Sequence, residues 1–188
     1  MAAQPEPDRT TMSVEEYLAR EETSEVKHEY VDGHVYAMSG GTLAHDLIAN
    51  NIRSTLDAYL GDGPCTIFGP DVLVRVSPTV SYYPDALVRC DDNPDLKSRE
   101  VSTPRLIVEV LSESTEANDR GGKWANYQTL ATFEEYLLVE SRSRVVERFH
   151  RGERGLWTYQ LYAPDATVTL ETVGLAIPVA TFYRRTNL

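Results

Sequence analysis

The sequence has few cysteines, no long hydrophobic run and little positive charge, and each shortage excludes a class of protein. Its two cysteines, Cys65 and Cys90, form no CxxC pair, which excludes a zinc site built on cysteines. No apolar run reaches the ~20 residues of a membrane-spanning helix, and the N-terminus lacks the order of a secretion signal. We therefore expect a cytoplasmic protein without membrane contact, and favour two buried thiols over one disulfide.

The shortage of positive charge bears on nucleic-acid binding. Lysine and arginine total 18 against 29 aspartates and glutamates, so the formal net charge is −11. Because affinity for polyanions comes largely from cationic side chains that displace counterions, binding would require a local basic patch, a metal ion or a basic partner. The best local patch is the arginine-rich stretch 142–154. A charged edge strand and a phosphate-binding surface are both open interpretations of it.

Length and composition predict one globular domain. The 188 residues, 41% hydrophobic and 25% charged, are enough for a single core. Residues 1–12 are predicted to be a disordered leader, and residues 13–188 the domain. The predicted class is α/β, with a central mixed β-sheet flanked by helices.

Hydrophobic periodicity predicts the main elements of this domain. Asp32-Gly33 indicates a hairpin, and helical spacing continues from Thr42 to Gly61. The buried run Leu106–Leu111, a helix at about 116–130 and the run Tyr136–Val139 predict a β-α-β unit. After Val145 an antiparallel meander is predicted. Further extended runs are expected at 66–69, 72–76, 86–90, 145–149, 157–162 and 168–170.

Glu109 is unusual because it interrupts the apolar run Leu106–Leu111. A buried carboxylate costs several kcal/mol unless it is paired, protonated or bound to a cation. The alternative is that strand alternation turns Glu109 outward, away from Val108 and Val110.

Three further residues have side chains that can form one catalytic site with Glu109. Asp85 follows Pro84 at the start of a predicted strand, while Asp119 and Lys123 share a helix face four residues apart. Alone, the last two would be a solvated ion pair. Carboxylates on two neighbouring strands can hold Mg²⁺, and a nearby ammonium can stabilise the transition state of phosphodiester hydrolysis.

These residues resemble the PD-(D/E)XK nuclease superfamily, and in particular a bacterial restriction-endonuclease-like family. The resemblance covers about residues 12–139. It rests on Pro84-Asp85, on Glu109 within Ile-Val-Glu-Val-Leu-Ser, and on Asp119 and Lys123. Supporting motifs are Glu29-Tyr30-Val31-Asp32-Gly33, Met38-Ser39-Gly40-Gly41, His45 and Glu135-Tyr136-Leu137-Leu138-Val139.

The resemblance implies a restriction-endonuclease-like fold and a set of site residues. Asp85 and Glu109 would bind Mg²⁺ or Mn²⁺, and Glu29 would be a further acidic member of the catalytic site. The superfamily's usual lysine position, two residues after Glu109, is Leu111 here, so Lys123 would supply the ammonium. The implied activity is metal-dependent endonuclease cleavage of nucleic acid, DNA being favoured, by a homodimer.

Two alternatives stay open. The net charge of −11 and the absent in-strand lysine suit a non-catalytic binding or assembly module that keeps the nuclease fold. The same carboxylates could also serve a metal-dependent hydrolase of another anionic substrate. For His45, which shares a helix face with Ile48 and Ile52, a half-buried structural role is favoured over metal binding.

Overall fold

The computed structural model describes residues 11–91 and 95–188, so most of the leader expected at 1–12 lies outside the described residues. Met12 is described and contacts the first hairpin. Its N–H donates to the carbonyl of Gly33, and its carbonyl accepts from the hydroxyl of Tyr30, both at 2.9 Å.

Thirteen strands and several helices make up the described chain. They follow in the order α1 (Val14–Glu21), β1 (His28–Val31), β2 (His34–Ala37), α2 (Leu43–Leu60), β3 (Cys65–Phe68), β4 (Leu73–Ser77), β5 (Val80–Tyr82), β6 (Ala86–Cys90), β7 (Glu100–Val101), β8 (Leu106–Leu111), α3 (Glu116–Asn118), a π-helix (Asp119–Lys123), α4 (Trp124–Tyr127), β9 (Glu135–Glu140), β10 (Val146–Arg151), a 3-10 turn (Glu153–Gly155), β11 (Trp157–Tyr162), β12 (Thr167–Leu170), β13 (Leu175–Pro178) and α5 (Val179–Phe182). None of the described helices is both long and apolar enough to cross a membrane.

The strands form three sheets. A six-stranded sheet has the order β11-β10-β9-β8-β6-β3, with β8 and β9 parallel, and it confirms both the mixed sheet and the β-α-β unit. The antiparallel meander predicted after Val145 is confirmed for β10 and β11, whereas β12 leaves this sheet and pairs with β13. A five-stranded sheet, β2-β1-β5-β4-β7, and the hairpin β12-β13 are separate, which the sequence did not predict.

Turn and cap residues explain where two elements near the site begin and end. Asp32 and Gly33 both have positive φ, 48° and 89°, as the tight turn between β1 and β2 requires. Helix α2 starts at Thr42, whose side chain accepts the N–H of His45 at 3.2 Å. It ends at Gly61, which has φ 51°.

Strand β8 is buried on both faces, which explains its continuous apolar sequence. Val108 and Val110 pack in the core that contains Ile48 and Ile52 of α2. Ile107 and Leu111 belong to a second core with Tyr82, Tyr127 and Tyr136. Glu109 alternates with Val108 and Val110, as expected, but the face it points to is covered as well.

The expectation of two free thiols is wrong, because Cys65 and Cys90 form a disulfide. The two residues are directly opposite each other in the antiparallel pair of β3 and β6, with their Cα atoms 3.9 Å apart. Their 25-residue separation gave no indication of this register, which only strand pairing creates.

Candidate active site

Asp85 and Glu109 lie side by side on adjacent strands. Ala86 of β6 pairs with Val108 of β8 in antiparallel register, so the preceding Asp85 stands opposite Glu109. Asp85 Oδ2 accepts the main-chain N–H of Val110 at 2.7 Å, which fixes the carboxylate at the start of its strand. The fold thus brings together the two acidic residues that the sequence singled out.

The ammonium of Lys123 lies among three carboxylates. Its Nζ is 2.8 Å from Glu29 Oε1, 3.2 Å from Glu109 Oε1 and 3.2 Å from Asp119 Oδ1. Lys123 is only 4% exposed, so its contact with Asp119 is not a solvated ion pair. The helical segment therefore delivers an ammonium to Glu109 although the strand itself has Leu111, and Glu29 reaches the same cluster from β1. We call Glu29, Glu109, Asp119 and Lys123 the lysine cluster.

A π-helical turn, Asp119–Lys123, places the lysine in this cluster. Such wide turns occur mainly as single interruptions of α-helices, frequently at functional sites. The adjacent glycines have different surroundings. A Cβ added to Gly122 would lie 2.8 Å from Asn118 Oδ1, whereas one added to Gly121 would meet nothing within 4 Å. An alanine at position 122 would therefore displace the side-chain amide of Asn118, and an alanine at position 121 would displace nothing.

Three tyrosines line the lysine cluster. The hydroxyl of Tyr127 donates to Glu109 Oε1 at 3.1 Å, and that of Tyr136 donates to the carbonyl of Asp119 at 3.1 Å. Burial raises the pKa of Tyr127, so its hydroxyl keeps its proton and remains a donor. The ring centroid of Tyr82 lies 5.7 Å from the Nζ of Lys123.

The lysine cluster contains three carboxylates and one ammonium, and burial shifts the pKa values of these groups. Burial raises the pKa of Glu109 well above its ordinary value. The positive charge of Lys123 acts to lower this pKa, and the negative charge of Asp119 raises it further. Burial likewise raises the pKa of Glu29, again against Lys123. For Lys123, burial alone would lower the pKa, but Glu109, Glu29 and Asp119 outweigh it and the pKa is raised. The amine therefore stays charged, while three carboxylates compete for that one charge.

His45 borders the acidic pair. The sequence favoured a half-buried structural histidine; the structure places His45 Nε2 3.4 Å from Asp85 Oδ2. Burial acts to lower the pKa of His45, but Asp85 and the main chain of Val110 outweigh burial, and the pKa is raised. Helical spacing alone could not show this contact, because it depends on the first turn of α2 meeting the start of β6.

The donor set of Asp85 and Glu109 fits a divalent cation. Asp85 uses Oδ2 for Val110 and His45, and Glu109 uses Oε1 for Lys123 and Tyr127; within the described chain, Oδ1 and Oε2 remain available. Carboxylate oxygens suit Mg²⁺, which keeps several waters when it binds. In residues 11–91 and 95–188, no three acidic, histidine or cysteine side chains form a metal-binding group. Protein ligands would therefore fill only part of the coordination sphere.

Two buried oxygens of the lysine cluster approach the ammonium of Lys123 without ideal hydrogen-bond geometry. Glu29 Oε1 and Asp119 Oδ1 are buried, and although both approach Lys123, these contacts lack hydrogen-bond geometry. Incompletely satisfied buried acceptors are costly. The fold thus satisfies the acceptors of the lysine cluster only in part.

The arginine-rich stretch contributes mainly contacts within the protein. Arg142 contacts Glu116 at 2.6 Å and Glu140 at 2.8 Å, and Arg148 is buried against Glu135. Its strand, β10, lies between β9 and β11 and is not at an edge, so the edge-strand interpretation is wrong. The observed ion pairs do not favour a continuous phosphate-binding surface.

Comparison with known proteins gives consistent results. Residues 14–180 match the Uma2 family, described as "Putative restriction endonuclease". The chain is 37% identical to the uncharacterized protein slr1290 of Synechocystis sp. over 92% of both chains. It is 30% identical to the uncharacterized protein sll1609 of the same organism, over 84% of this chain and 91% of that one. Its fold is similar to that of a putative nuclease belonging to DUF820 from Anabaena variabilis, with a TM-score of 0.76 and 14% identity, covering 92% of this chain and 97% of that one.

Proposed function

We propose that this chain, which belongs to the Uma2 family of restriction-endonuclease-like proteins, is a metal-dependent endonuclease that hydrolyses phosphodiester bonds in nucleic acid. DNA is the proposed first substrate, and Mg²⁺ or Mn²⁺ the cofactor. The observation that carries the proposal is the placement of Asp85 opposite Glu109, with the ammonium of Lys123 3.2 Å from Glu109 Oε1.

The chemistry requires little beyond these groups. Hydrolysis joins the oxygen of a water molecule to phosphorus and breaks the bond to one sugar oxygen, which leaves with a proton. A divalent cation at such a site lowers the pKa of bound water and offsets charge on the phosphate. The carboxylate oxygens of Asp85 and Glu109, at one position of the sheet, would bind this cation. Lys123 offsets negative charge beside Glu109, and its contact with Glu29 holds the lysine in place.

Cleavage assays test the catalytic assignment. With Mg²⁺ or Mn²⁺, the wild type should cleave DNA or RNA, and Glu109→Gln and Lys123→Met should each lose at least about 100-fold in rate. Glu100→Gln and Lys27→Met are matched controls, because their side chains form ion pairs with Arg75 and Asp71 outside the site. Site variants that cleave as fast as the controls would assign the activity to other residues or to a contaminant.

A non-catalytic binding or assembly module is the second candidate. It is favoured by the net charge of −11 and by the enclosure of Lys123 among carboxylates. Calorimetry with Mn²⁺ discriminates between the two. The nuclease should bind Mn²⁺, and Asp85→Asn should weaken that binding; a wild type that binds neither Mn²⁺ nor nucleic acid supports the module. Turnover of chromogenic phosphodiesters without nucleic-acid cleavage would indicate another anionic substrate.

A homodimer is part of the proposal by analogy, because proteins with this kind of fold often act as dimers. Sedimentation equilibrium tests it directly. A protein that remains monomeric at the concentrations at which it cleaves nucleic acid would contradict the dimer.

A further inference from the structure

A cavity of about 320 Å³ opens beside the lysine cluster. It lies between the β1-β2 hairpin and the π-helical segment, with Glu29 and Lys123 among its lining residues. Its other walls include Tyr36, Met38, Tyr82, Asn118, Gly122 and Asn126. We propose that this cavity receives one unpaired nucleobase of the strand that is cut, so the substrate is single-stranded or locally opened nucleic acid. This inference rests on the proposed endonuclease function and names its substrate class.

The charges around the cavity favour a neutral ring over a phosphate. Of the described residues that line it, only Glu29 and Lys123 are charged. The ammonium is 2.8 Å from Glu29 and is also shared by Glu109 and Asp119. The cavity therefore offers no uncompensated positive charge. A phosphate would remain outside, on the side of Asp85 and Glu109, while the attached base enters.

The walls combine flat apolar surfaces with a few polar groups, as base recognition requires. The half-buried ring of Tyr36 provides a surface on which a base can stack, and the almost fully buried ring of Tyr82 closes part of the wall. Asn126, which lines the cavity, donates from Nδ2 to the hydroxyl of Tyr82 at 2.7 Å, and an amide oxygen is an acceptor. Hydroxyl groups of Ser114 and Thr115 are further possible partners for a base edge.

The size of the cavity excludes a base that remains paired. A volume of about 320 Å³ is at the lower end of the range for small-molecule sites, roughly 300–1,000 Å³, and it suits one ring system. A base inside a duplex would have to leave the stack to reach it. Insertion of a base also gives affinity that does not depend on displaced counterions, which suits a protein with a net charge of −11.

The two glycines provide a matched pair of variants. An alanine Cβ at Gly122 would press on Asn118 Oδ1 at 2.8 Å in the cavity wall, whereas one at Gly121 would meet open space. Gly122→Ala should therefore disturb base binding, and Gly121→Ala should not. Tyr36→Ala removes a stacking ring from β2 and leaves the π-helical segment unchanged. This variant tests base binding if Gly122→Ala fails to fold.

The experiment compares oligonucleotides of equal length by fluorescence anisotropy and by cleavage rate. The probes are single-stranded, fully paired, and single-stranded with one abasic position moved along the strand. The wild type should bind the single strand roughly tenfold more tightly than the duplex. An abasic site should abolish this gain at one position only. Gly122→Ala and Tyr36→Ala should lose the same gain, and Gly121→Ala should keep it.

The outcomes separate this inference from the function on which it rests. Equal binding and cleavage of single strand and duplex, or abasic probes that bind equally at every position, would overturn the inference and leave the endonuclease standing. Identical behaviour of both glycine variants together with an unaffected Tyr36→Ala would overturn it as well. A wild type that cleaves none of the probes would overturn the proposed function and, with it, the inference.

Discussion

Glu109 and Glu135 stand on neighbouring parallel strands, β8 and β9, and both are buried, but their partners differ. Glu135, 0% exposed, is paired with the guanidinium of Arg148. Its two oxygens also accept the main-chain N–H groups of Glu171 and Thr172, each at 3.2 Å. The charge of Glu135 is therefore compensated by a guanidinium and two main-chain donors, although Arg148 also contacts the exposed carboxylate of Glu171 at 3.2 Å.

Glu109 is compensated less completely than Glu135. Its cation, Lys123, is shared with Glu29 and Asp119, and its remaining donor is the hydroxyl of Tyr127. The comparison teaches that burial of an acidic residue does not by itself indicate a functional site. The informative feature is a buried carboxylate that the fold compensates only in part, because it retains affinity for a cation.

The largest expected effect comes from removing the partner of Glu135. Arg148→Met should lower the free energy of unfolding by about 3–5 kcal/mol, because Glu135 would stay buried without its cation. Affinity for Mn²⁺ should not change. Urea denaturation and calorimetry measure the two quantities. Arg142→Met, at an exposed arginine with ion pairs to Glu116 and Glu140, is the control; if both variants lose the same stability, Glu135 is not the compensated group described above.

Replacing each glutamate by glutamine should move stability in opposite directions. Without divalent cations at pH 8, Glu109→Gln should raise the free energy of unfolding by about 1–3 kcal/mol, since it removes a poorly compensated buried charge. Glu135→Gln should lower it. Denaturation of both variants beside the wild type tests this, and a loss of stability in Glu109→Gln would contradict the comparison.

The difference in stability between Glu109→Gln and the wild type should depend on pH, because the pKa of Glu109 is raised in the folded protein. A raised pKa in the folded state stabilises the protein at pH values below the ordinary value of 4.5, and this contribution is lost as pH rises toward the folded pKa. The stability gain of the variant over the wild type should therefore be small near pH 4 and grow as pH increases. Denaturation of metal-free protein across this range measures it; a gain independent of pH would contradict the titration of Glu109.

The smallest effect is expected for Tyr127→Phe. Losing its hydroxyl removes one hydrogen bond to Glu109 and should cost about 1 kcal/mol of stability. It should also weaken Mn²⁺ binding roughly tenfold, as loss of a residue that orients a metal ligand does. Tyr136→Phe, which loses a bond to the main-chain carbonyl of Asp119, should cost similar stability and leave Mn²⁺ affinity unchanged. Equal metal affinities in the two variants would remove Tyr127 from the site.

Local sequence patterns predicted the central part of the fold. The strands at 86–90, 106–111 and 157–162 occur where expected, because apolar runs bounded by turn residues define them. Strands β5 and β7 have three and two residues, too few for any periodicity to be visible. The second sheet depends on pairings such as β1 with β5, about 50 residues apart in the chain, and these have no local signal.

The sequence likewise predicted part of the site and missed contacts that depend on tertiary packing. The proximity of Asp85, Glu109, Lys123 and Glu29 followed from the family resemblance together with the anomalous position of Glu109. The ion pairs of the arginine-rich stretch and the Cys65–Cys90 disulfide depend on tertiary packing, which the sequence does not encode locally. The position of His45 depends on where one helix end meets a strand of another segment.

The π-helical turn has a consequence for insertions and deletions. A helix that resumes regular winding after a widened turn carries a residue that an α-helix at this point would not need. Deleting Gly121 would remove that extra residue, so the segment could wind as a regular α-helix while the residues on either side keep their facing. Asp119 and Lys123 would then lie three residues apart and still share one face of the helix. Deleting a residue from the regular helix α2 would instead rotate the residues on its two sides by about 100° relative to each other.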